Sequence, residues 1–347
     1  MTKAKIANPK FANALNREPQ KVPPIWFMRQ AGRYHKHYQA IRAKHGFIEM
    51  CKDPKLAAEI ALGPVLDFDF DVSILFSDLL FPLEAMGMGL KYDPAPQLGW
   101  HLTEDRMKDL RRVDEALPHL EFQKAAVIET RKVLPKDKSL IGFVGSPWTL
   151  FTYAVEGSHK GGLEGAKRLM NLYRPFCDVV IPLLKENIRL QLEGGAEIVM
   201  LFDTAAGELS PVVYRDVVAP TVQELVKEYP KRLGYYAKTV QPAHLRQPMF
   251  QDPNLLAGIG FDHRWDLKES LTFYKAGFVQ GNFDQSLLFL KPEHFKIHVE
   301  RYLEDLRKLS LEERAGWVSG LGHGVLPGTP EENVRTLVKT IREVMGQ

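Results

Sequence analysis

The amino-acid sequence predicts an α/β fold, a single (β/α)8 TIM-type barrel in which residues 1–347 form one domain. Eight short apolar runs, the number that closes such a barrel, are spread along the chain, with helix-patterned stretches between most of them. No linker, low-complexity tract or change in composition divides the chain. A doubly wound open sheet is the alternative, but no GxGxxG motif follows the first strand, so its dinucleotide-binding form has little support.

The predicted strands are runs rich in β-branched or aromatic residues that end in a polar residue or a glycine. Continuous apolar runs of this kind are typical of parallel strands buried on both faces. The eight strands are IWFMR (25–29), VSILFSD (72–78), LIGFVGS (140–146), EIVMLFD (197–203), RLGYYAK (232–238), LAGIGFD (255–262), GFVQGNFD (277–284) and WVSGLGHG (317–324).

Apolar residues between these runs recur at the helical period. The clearest helix-patterned stretches cover residues 52–68, 165–195, 210–229, 291–309 and 329–345. Residues 79–139, between the second and third predicted strands, hold extra material that includes a charged stretch. We predict that this material is an insertion decorating the barrel.

Charge and hydropathy exclude several classes of protein. Lysine plus arginine (46) exceeds aspartate plus glutamate (43) by three, so the chain has no extended positive field for nucleic acid, and local arginines must hold any anionic ligand. The longest apolar runs, such as 25–28 and 59–66, fall short of the ~20 residues of a membrane helix. The first twenty residues lack the continuous apolar region of a signal peptide. We therefore expect a cytoplasmic protein without a membrane or nucleic-acid partner.

The cysteine content argues against both a disulfide framework and a structural zinc site. Cys51 and Cys177 lie far apart, and neither belongs to a CxxC or HxC motif. We expect both to be small core residues.

Two arginines follow the first predicted strand. The active site of a barrel enzyme lies at the carboxyl ends of its strands. Here the strand runs into Arg29-Gln30-Ala31-Gly32-Arg33-Tyr34, with two guanidinium groups four positions apart around a glycine. Each guanidinium can bind a carboxylate through two parallel hydrogen bonds. They could also be surface arginines of the next helix, but their position at the end of an apolar strand favours binding.

Polar residues end or follow other strands as well. Asp78 ends the second strand and Asp203-Thr204 the fourth, where helix capping is the alternative role. Tyr153 follows the third strand, where it could instead be a buried tyrosine. His323 lies between two glycines, which offer it little packing and favour a functional role. Without a cysteine or HExxH ligand set, these groups fit a polyanionic substrate handled without metal.

Five motifs make the chain resemble the uroporphyrinogen decarboxylase family, lyases of the haem pathway. The similarity covers essentially the whole chain, and the motifs occur in the family's order. The matching segments are PPIWFMRQAGRY, ILFSDLL, GSPWTLFTYAVEG, VQGNFD and LGHGVLP.

The resemblance implies a cofactor-free homodimer that converts the four acetates of uroporphyrinogen III to methyl groups. Asp78 and Arg29 would be catalytic, with Asp78 accepting hydrogen bonds from the pyrrole N–H groups. The substrate-binding residues that the resemblance implies are Arg29, Gln30, Ala31, Gly32, Arg33, Asp78, Tyr153, Thr204 and His323, with no metal ligand. Arg42 would support the arginine pair, and Gly281 and Asn282 would be structural.

Three places depart from the family pattern. The usual YLPEY after the arginine pair is here Tyr34-His35-Lys36-His37-Tyr38, from which we expect added cationic character near the mouth. Gly320 replaces an asparagine, and Ala205 replaces a tryptophan or histidine. None of these changes removes a ligand that the resemblance implies.

Two other functions and the identity of the proton donor stay open at this point. A corrinoid-dependent methyltransferase of the same superfamily would need zinc held by an HxC pair after the fifth strand, yet residues 238–246 contain no cysteine. A non-catalytic tetrapyrrole carrier would not need Asp78. The proton donor could be Arg29, Tyr153 or His323, because their ordinary pKa values do not decide between them.

Overall fold

The computed structural model describes residues 5–93 and 95–347, and its centre is a curled, parallel, seven-stranded sheet. The strands of the chain are β1 (Val72–Ile74), β2 (Leu90–Tyr92), β3 (Pro96–Leu98), β4 (Ser139–Gly145), β5 (Val199–Asp203), β6 (Leu233–Ala237), β7 (Gly258–Gly260), β8 (Phe278–Phe283) and β9 (Trp317–Leu321). The sheet order is β1-β4-β5-β6-β7-β8-β9, so seven of the predicted strands are present. Strands β2 and β3 form a separate antiparallel ribbon.

The first predicted strand, 25–29, does not form a regular strand. Only Ile25 makes a parallel bridge, to Ser319 of β9. The ladder with β9 does not extend toward the start of the chain, because Pro24 has no N–H to donate to β9. The N–H of Ile25 faces the opposite edge and donates to the Asp71 carboxylate, at 2.9 Å. The N–H of Asp71 in turn donates to the carbonyl of Ile25, also at 2.9 Å. The segment around Ile25 thus contacts both edges of the sheet.

Helices connect the strands, as the periodicity predicts. They are α1 (Pro9–Asn16), α2 (Lys36–Arg42), α3 (Phe47–Lys52), α4 (Pro54–Phe68), α5 (Phe81–Leu83), α6 (Val113–Ala116), α7 (Glu121–Val133), α8 (Pro147–Glu156), α9 (Glu164–Arg168), α10 (Tyr173–Gly194), α11 (Pro211–Val213), α12 (Ala219–Glu228), α13 (Leu267–Phe273), α14 (Pro292–Arg307) and α15 (Glu331–Gly346). Caps mark some of these helix ends. Asp53 accepts hydrogen bonds from the first turn of α4, and Gly195, with a φ of 114°, ends α10.

The sheet is buried on both faces, which accounts for the continuous apolar runs. An inner cluster of side chains fills the space that the curled sheet encloses, and a larger cluster lies between the sheet and the helices. The inner cluster includes Trp26, Met28, Val72, Ile74, Ile141, Met200, Phe202, Tyr236, Phe278 and Val318. Cys51 and Cys177 are buried and unpaired, which confirms them as core residues.

Residues between β1 and β4 contain the β2–β3 ribbon, the short helices α5 and α6, and α7. Helix α7 packs against α4 and α10 on the outside of the sheet. The ribbon is not part of the main sheet and lies next to α3. In the described ranges, none of the helices is long and apolar enough to cross a membrane.

Candidate active site

The turn after Met28 is locked by the side chain of Gln30. Its Oε1 accepts the N–H of Phe27 at 3.1 Å, and its Nε2 donates to the carbonyl of Val72 at 3.1 Å. The hydroxyl of Tyr34 donates to the carbonyl of Gln30 at 2.7 Å. The buried Gln30 side chain therefore serves the turn itself, which joins the start of β1 to the predicted arginine pair.

Arg29 lies in the middle of the candidate site. Its φ is 57°, in the left-handed region, so its side chain leaves the turn in a direction that an extended residue would not give. A Cβ on Gly324 would lie 2.5 Å from the Cδ of Arg29, so only glycine allows this close approach of the loop after β9. The N–H of Val325 donates to the carbonyl of Met28 at 2.9 Å and holds that loop in place.

Arg33 lies farther from this centre than Arg29. Its side chain is exposed. Burial raises the pKa of Tyr38, and the nearby charges of Arg33 and Arg42 partly offset this rise. The carbonyl of Arg33 accepts a hydrogen bond from Gln39 at 2.7 Å. Ala31 and Gly32 form the backbone between the two arginines and are partly exposed. The turn thus presents two guanidinium groups in different surroundings.

Asp78 follows β1 and is partly exposed at the mouth of the sheet. Its Oδ1 accepts the N–H of Leu80 at 2.9 Å, so the capping role is real, but it occupies only one of the two oxygens. Burial raises the pKa of Asp78, while the N–H of Leu80 and the charge of Arg29 lower it. A carboxylate with free accepting capacity therefore lies within electrostatic reach of a guanidinium.

Tyr153 projects from α8, directly after β4. Its hydroxyl is hydrogen-bonded to Nδ1 of His159 at 2.5 Å. Burial raises the pKa of Tyr153 to about 12, with a further rise from the charge of Asp78 and a partial offset from Arg29. The charge of Arg29 therefore acts on both Asp78 and Tyr153, and the charge of Asp78 acts on Tyr153.

His323 lies two residues after the end of β9. Its Nδ1 is 3.2 Å from the hydroxyl of Tyr236, which also donates to the carbonyl of Gly322 at 2.8 Å. Burial lowers the pKa of His323 to about 3, with further contributions from the charges of Arg29 and Lys238. His323 is thus neutral at physiological pH in the unliganded protein.

Two neighbouring residues at the end of β5 have different roles: Asp203 is structural, and Thr204 is a candidate substrate ligand. Asp203 is fully buried, and its two oxygens accept from the hydroxyls of Thr149, at 2.8 Å, and Tyr235, at 3.0 Å. It does not cap the helix that starts at Pro211, which Ser210 caps. The hydroxyl of Thr204 is buried and has no hydrogen-bond partner among the described residues. Its bonding capacity is available to a ligand.

The amino-acid sequence of the chain is similar to those of known proteins. The family model described as Uroporphyrinogen decarboxylase (URO-D) matches residues 7–344. A uroporphyrinogen decarboxylase of Geobacter metallireducens is 33% identical over 358 aligned positions, which cover 97% of this chain and 99% of the relative. One of Geotalea daltonii is 32% identical, with 98% of this chain and 100% of the relative covered. The chain belongs to the uroporphyrinogen decarboxylase family.

A solved structure supports the fold at lower sequence similarity. A methyltransferase from Methanosarcina mazei superposes with a TM-score of 0.76 at 19% identity, covering 97% of this chain and 98% of that chain. At this identity the likeness concerns the fold only. Across residues 5–93 and 95–347, no group of three or more histidine, cysteine, aspartate or glutamate residues could hold a metal ion.

Three further residues in this decarboxylase-family chain escaped the sequence analysis. Lys238 follows β6 directly, and its charge acts on both His159 and His323. The rule used for the other strand ends could have found it, because the predicted strand 232–238 ends in this lysine. His159 and Tyr92 lie in connecting segments, where the sequence does not show which side chain turns back toward the site.

The structure explains one departure from the family pattern, the histidine at position 35. His35 is buried, and its Nε2 is 2.7 Å from the Asp67 carboxylate. Burial lowers the pKa of His35 despite this partner, so the expectation of added cationic character is wrong for this histidine. Arg42 donates to the carbonyl of His45 at 2.8 Å, close to its own helix.

Asn282 has the structural role that the resemblance implied. Its side-chain amide donates to the carbonyls of Asp262, at 2.9 Å, and Trp265, at 2.7 Å. Its N–H donates to the hydroxyl of Tyr302 at 3.0 Å, and the same hydroxyl donates to the carbonyl of Gly281 at 3.1 Å. These bonds connect β8 to the loop after β7.

Proposed function

We propose that this chain decarboxylates the four acetate side chains of uroporphyrinogen III to methyl groups, giving coproporphyrinogen III and four molecules of CO2. Membership of the uroporphyrinogen decarboxylase family supports the reaction. The observation that carries the assignment to this site is the Asp78 carboxylate, which has a free oxygen and lies close to Arg29 at the mouth of the sheet.

The chemistry needs an electron sink, because loss of CO2 from an acetate leaves a carbanion. A pyrrole ring protonated at carbon can accept that electron pair, so the substrate supplies its own sink. When CO2 leaves, the C–C bonding electrons move into the ring, and a proton added at the former acetate carbon completes the methyl group. The proton that the ring took up is returned when the pyrrole is restored, so each cycle consumes one proton and releases one CO2.

Asp78 contributes a fixed negative charge to this step. Its carboxylate accepts the pyrrole N–H groups and stabilises the cation that develops when the ring is protonated. A single preorganised electrostatic group in a site shielded from water is worth roughly 3–4 kcal/mol of transition-state stabilisation in other enzymes. Partial burial of Asp78 strengthens its interaction with a cation, because the surrounding dielectric is lower than in water.

The carboxylates of the substrate need cationic and hydrogen-bonding partners. We assign this role to Arg29, Arg33 and His323, with the backbone of Gln30, Ala31 and Gly32, and with the hydroxyls of Tyr153 and Thr204. Arg29, Tyr153 and His323 are the candidate proton donors. Among them Arg29 is the group that carries a positive charge beside Asp78, since the pKa of His323 is lowered to about 3.

The architecture proposed with this function is a complete eight-membered barrel. The segment around Ile25, hydrogen-bonded to both Ser319 and Asp71, would be its eighth member, and residues 79–139 would be the insertion after the second. The chain would form one domain and a cytoplasmic homodimer. Sedimentation of the purified protein tests the dimer.

Anaerobic incubation of the purified protein with uroporphyrinogen III tests the function. We expect porphyrins with seven, six, five and four carboxylates after oxidation and chromatography, with the four-carboxylate product accumulating last. We expect the same rate after exhaustive EDTA treatment and without added cofactor. No conversion would contradict the function, and activity that EDTA abolishes and a divalent ion restores would contradict the cofactor-free mechanism.

A further inference from the structure

Tyr92 is held beside the candidate site by the two-stranded ribbon. Strand β2 pairs it with Pro96 of β3. Its ring packs on Phe47 with 4.5 Å between ring centroids, and Phe47 packs on Phe76 at 5.9 Å. Because Phe76 lies two residues before Asp78, this aromatic stack connects the ribbon to the loop that carries the carboxylate.

The hydroxyl of Tyr92 is buried and makes no hydrogen bond with any described residue. Native proteins keep few such groups, because an unpartnered buried hydroxyl costs folding free energy. Burial raises the pKa of Tyr92, and the negative charge of Asp78 raises it further. The hydroxyl therefore lies beside a carboxylate that can accept its hydrogen.

Asp78 has the capacity to accept this hydrogen bond. One of its oxygens receives the N–H of Leu80, and a carboxylate has about four acceptor positions. Four titratable groups, each from a different part of the fold, interact electrostatically with Asp78. They are Arg29, Cys51 of α3, Tyr92 of β2 and Tyr153 of α8.

We propose that Tyr92 is a positioning residue for Asp78, whose carboxylate accepts the Tyr92 hydroxyl when substrate is bound and is thereby kept ionised and oriented toward the pyrrole N–H groups. The inference rests on the proposed function, since it assigns Tyr92 to the same reaction. The segment between β1 and β4, which lies outside the main sheet, would then contribute a residue that interacts electrostatically with the site.

Replacement of Tyr92 by phenylalanine is the direct test, because it removes the hydroxyl and keeps the ring on Phe47. We expect kcat/KM for uroporphyrinogen to fall about tenfold, the size of effect of a hydrogen bond to a charged group. The acid limb of its kcat–pH profile should move to higher pH, because kcat reports the substrate complex, in which loss of the donor raises the pKa of Asp78. The melting temperature should stay the same or rise, since the hydroxyl has no partner in the unliganded structure.

Tyr229→Phe is the matched control, because the hydroxyl of Tyr229 donates to the carbonyl of Lys185 at 2.8 Å, away from the site. Its pH profile should equal that of the wild type. In the Asp78→Asn background, Tyr92→Phe should add no further loss, because the carboxylate it serves is gone.

The outcomes distinguish a failure of this inference from a failure of the proposed function. If the wild type is active and Tyr92→Phe keeps both its kcat/KM and its acid limb, the role of Tyr92 is wrong and the function stands. If the wild type does not convert uroporphyrinogen, the function is wrong, and the reading of Tyr92 as a residue of that reaction is overturned with it. A carbon-13 titration of the Asp78 carboxyl then reports separately whether the hydroxyl interacts with the carboxylate.

Discussion

The carboxyl ends of β1 and β5 carry aspartates in similar sequence contexts and in different surroundings. Asp203 is fully buried, and each of its oxygens accepts a hydroxyl, from Thr149 on one side and Tyr235 on the other. Asp78 is partly exposed, and one of its oxygens accepts the backbone N–H of Leu80. The two carboxylates therefore differ in how much hydrogen-bonding capacity the protein itself has used.

This difference separates a structural carboxylate from one available to a ligand. The bonds of Asp203 connect the start of α8 to β6 and leave little room for a further donor. The single bond from Leu80 to Asp78 holds its loop and leaves other acceptor positions unused. The number of hydrogen bonds that a strand-end carboxylate already accepts thus indicates its role better than its position in the sequence does. Mutation of each aspartate tests this distinction.

The largest effect is expected for Asp78→Asn. Asparagine keeps the size and part of the hydrogen bonding but removes the charge that stabilises the developing cation. We expect kcat/KM to fall about 100- to 1,000-fold, as for loss of one preorganised electrostatic group elsewhere, with little change in folding stability. Anaerobic kinetics together with thermal unfolding measure both quantities. Near-normal turnover by a folded variant would remove Asp78 from the mechanism.

Asp203→Asn should affect stability, and its effect should depend on pH. Burial raises the pKa of Asp203 to about 6, so between about pH 4 and 6 the native protein retains a proton that the unfolded chain has released. The free energy of unfolding contributed by this carboxyl is therefore highest at low pH and falls as pH rises through that range. Relative to Asp203→Asn, the free energy of unfolding of the wild type should fall by roughly 2 kcal/mol between pH 4 and 7.

Urea denaturation of both proteins at several pH values measures this difference, because other titrating groups cancel between them. A difference that does not change with pH would contradict the role of Asp203 as a buried, proton-retaining residue. Decarboxylation at neutral pH should change little in this variant.

Much of the fold follows from the sequence because burial on both faces leaves a clear pattern. Helix α15 spans Glu331–Gly346 where the periodicity predicts 329–345, and seven strands lie in the predicted runs. The segment 25–29 is the exception. Its apolar pattern is that of a strand, but Pro24 has no N–H to extend the ladder with β9, and on the opposite edge the Asp71 side chain takes the N–H of Ile25, so the segment makes a single bridge. Such competition depends on residues distant in sequence.

The site was predictable to the extent that it lies at strand ends. Arg29, Asp78, Tyr153 and His323 come together as expected, because parallel strands place their carboxyl ends at one edge. The different surroundings of Arg29 and Arg33 were not predictable, since they depend on the left-handed backbone at Arg29 and on its contact with Gly324. That difference gives the two remaining predictions.

Arg29→Lys should have the larger effect of the two arginine variants. Lysine keeps the charge and tolerates the left-handed φ about as well as arginine, but it loses the two parallel hydrogen bonds of the guanidinium. We expect kcat/KM to fall about tenfold to 100-fold, in line with the worth of hydrogen bonds to charged groups. Steady-state kinetics measure the effect. An equal or smaller loss than in Arg33→Lys would contradict the central position of Arg29.

Arg33→Lys should give the smallest effect, seen mainly in binding and in the intermediates. Arg33 is exposed, so we expect KM to rise by about threefold or less, the range of an exposed ionic contact. The effect should be greatest for substrates with the most carboxylates, because partly decarboxylated intermediates offer fewer groups to hold. The proportions of the seven-, six- and five-carboxylate intermediates should therefore differ from those of the wild type. Time courses analysed by chromatography after oxidation measure these proportions. If rate and proportions are both unchanged, Arg33 is a surface residue whose replacement costs within about 0.5 kcal/mol of stability, and Arg29 alone forms the guanidinium part of the site.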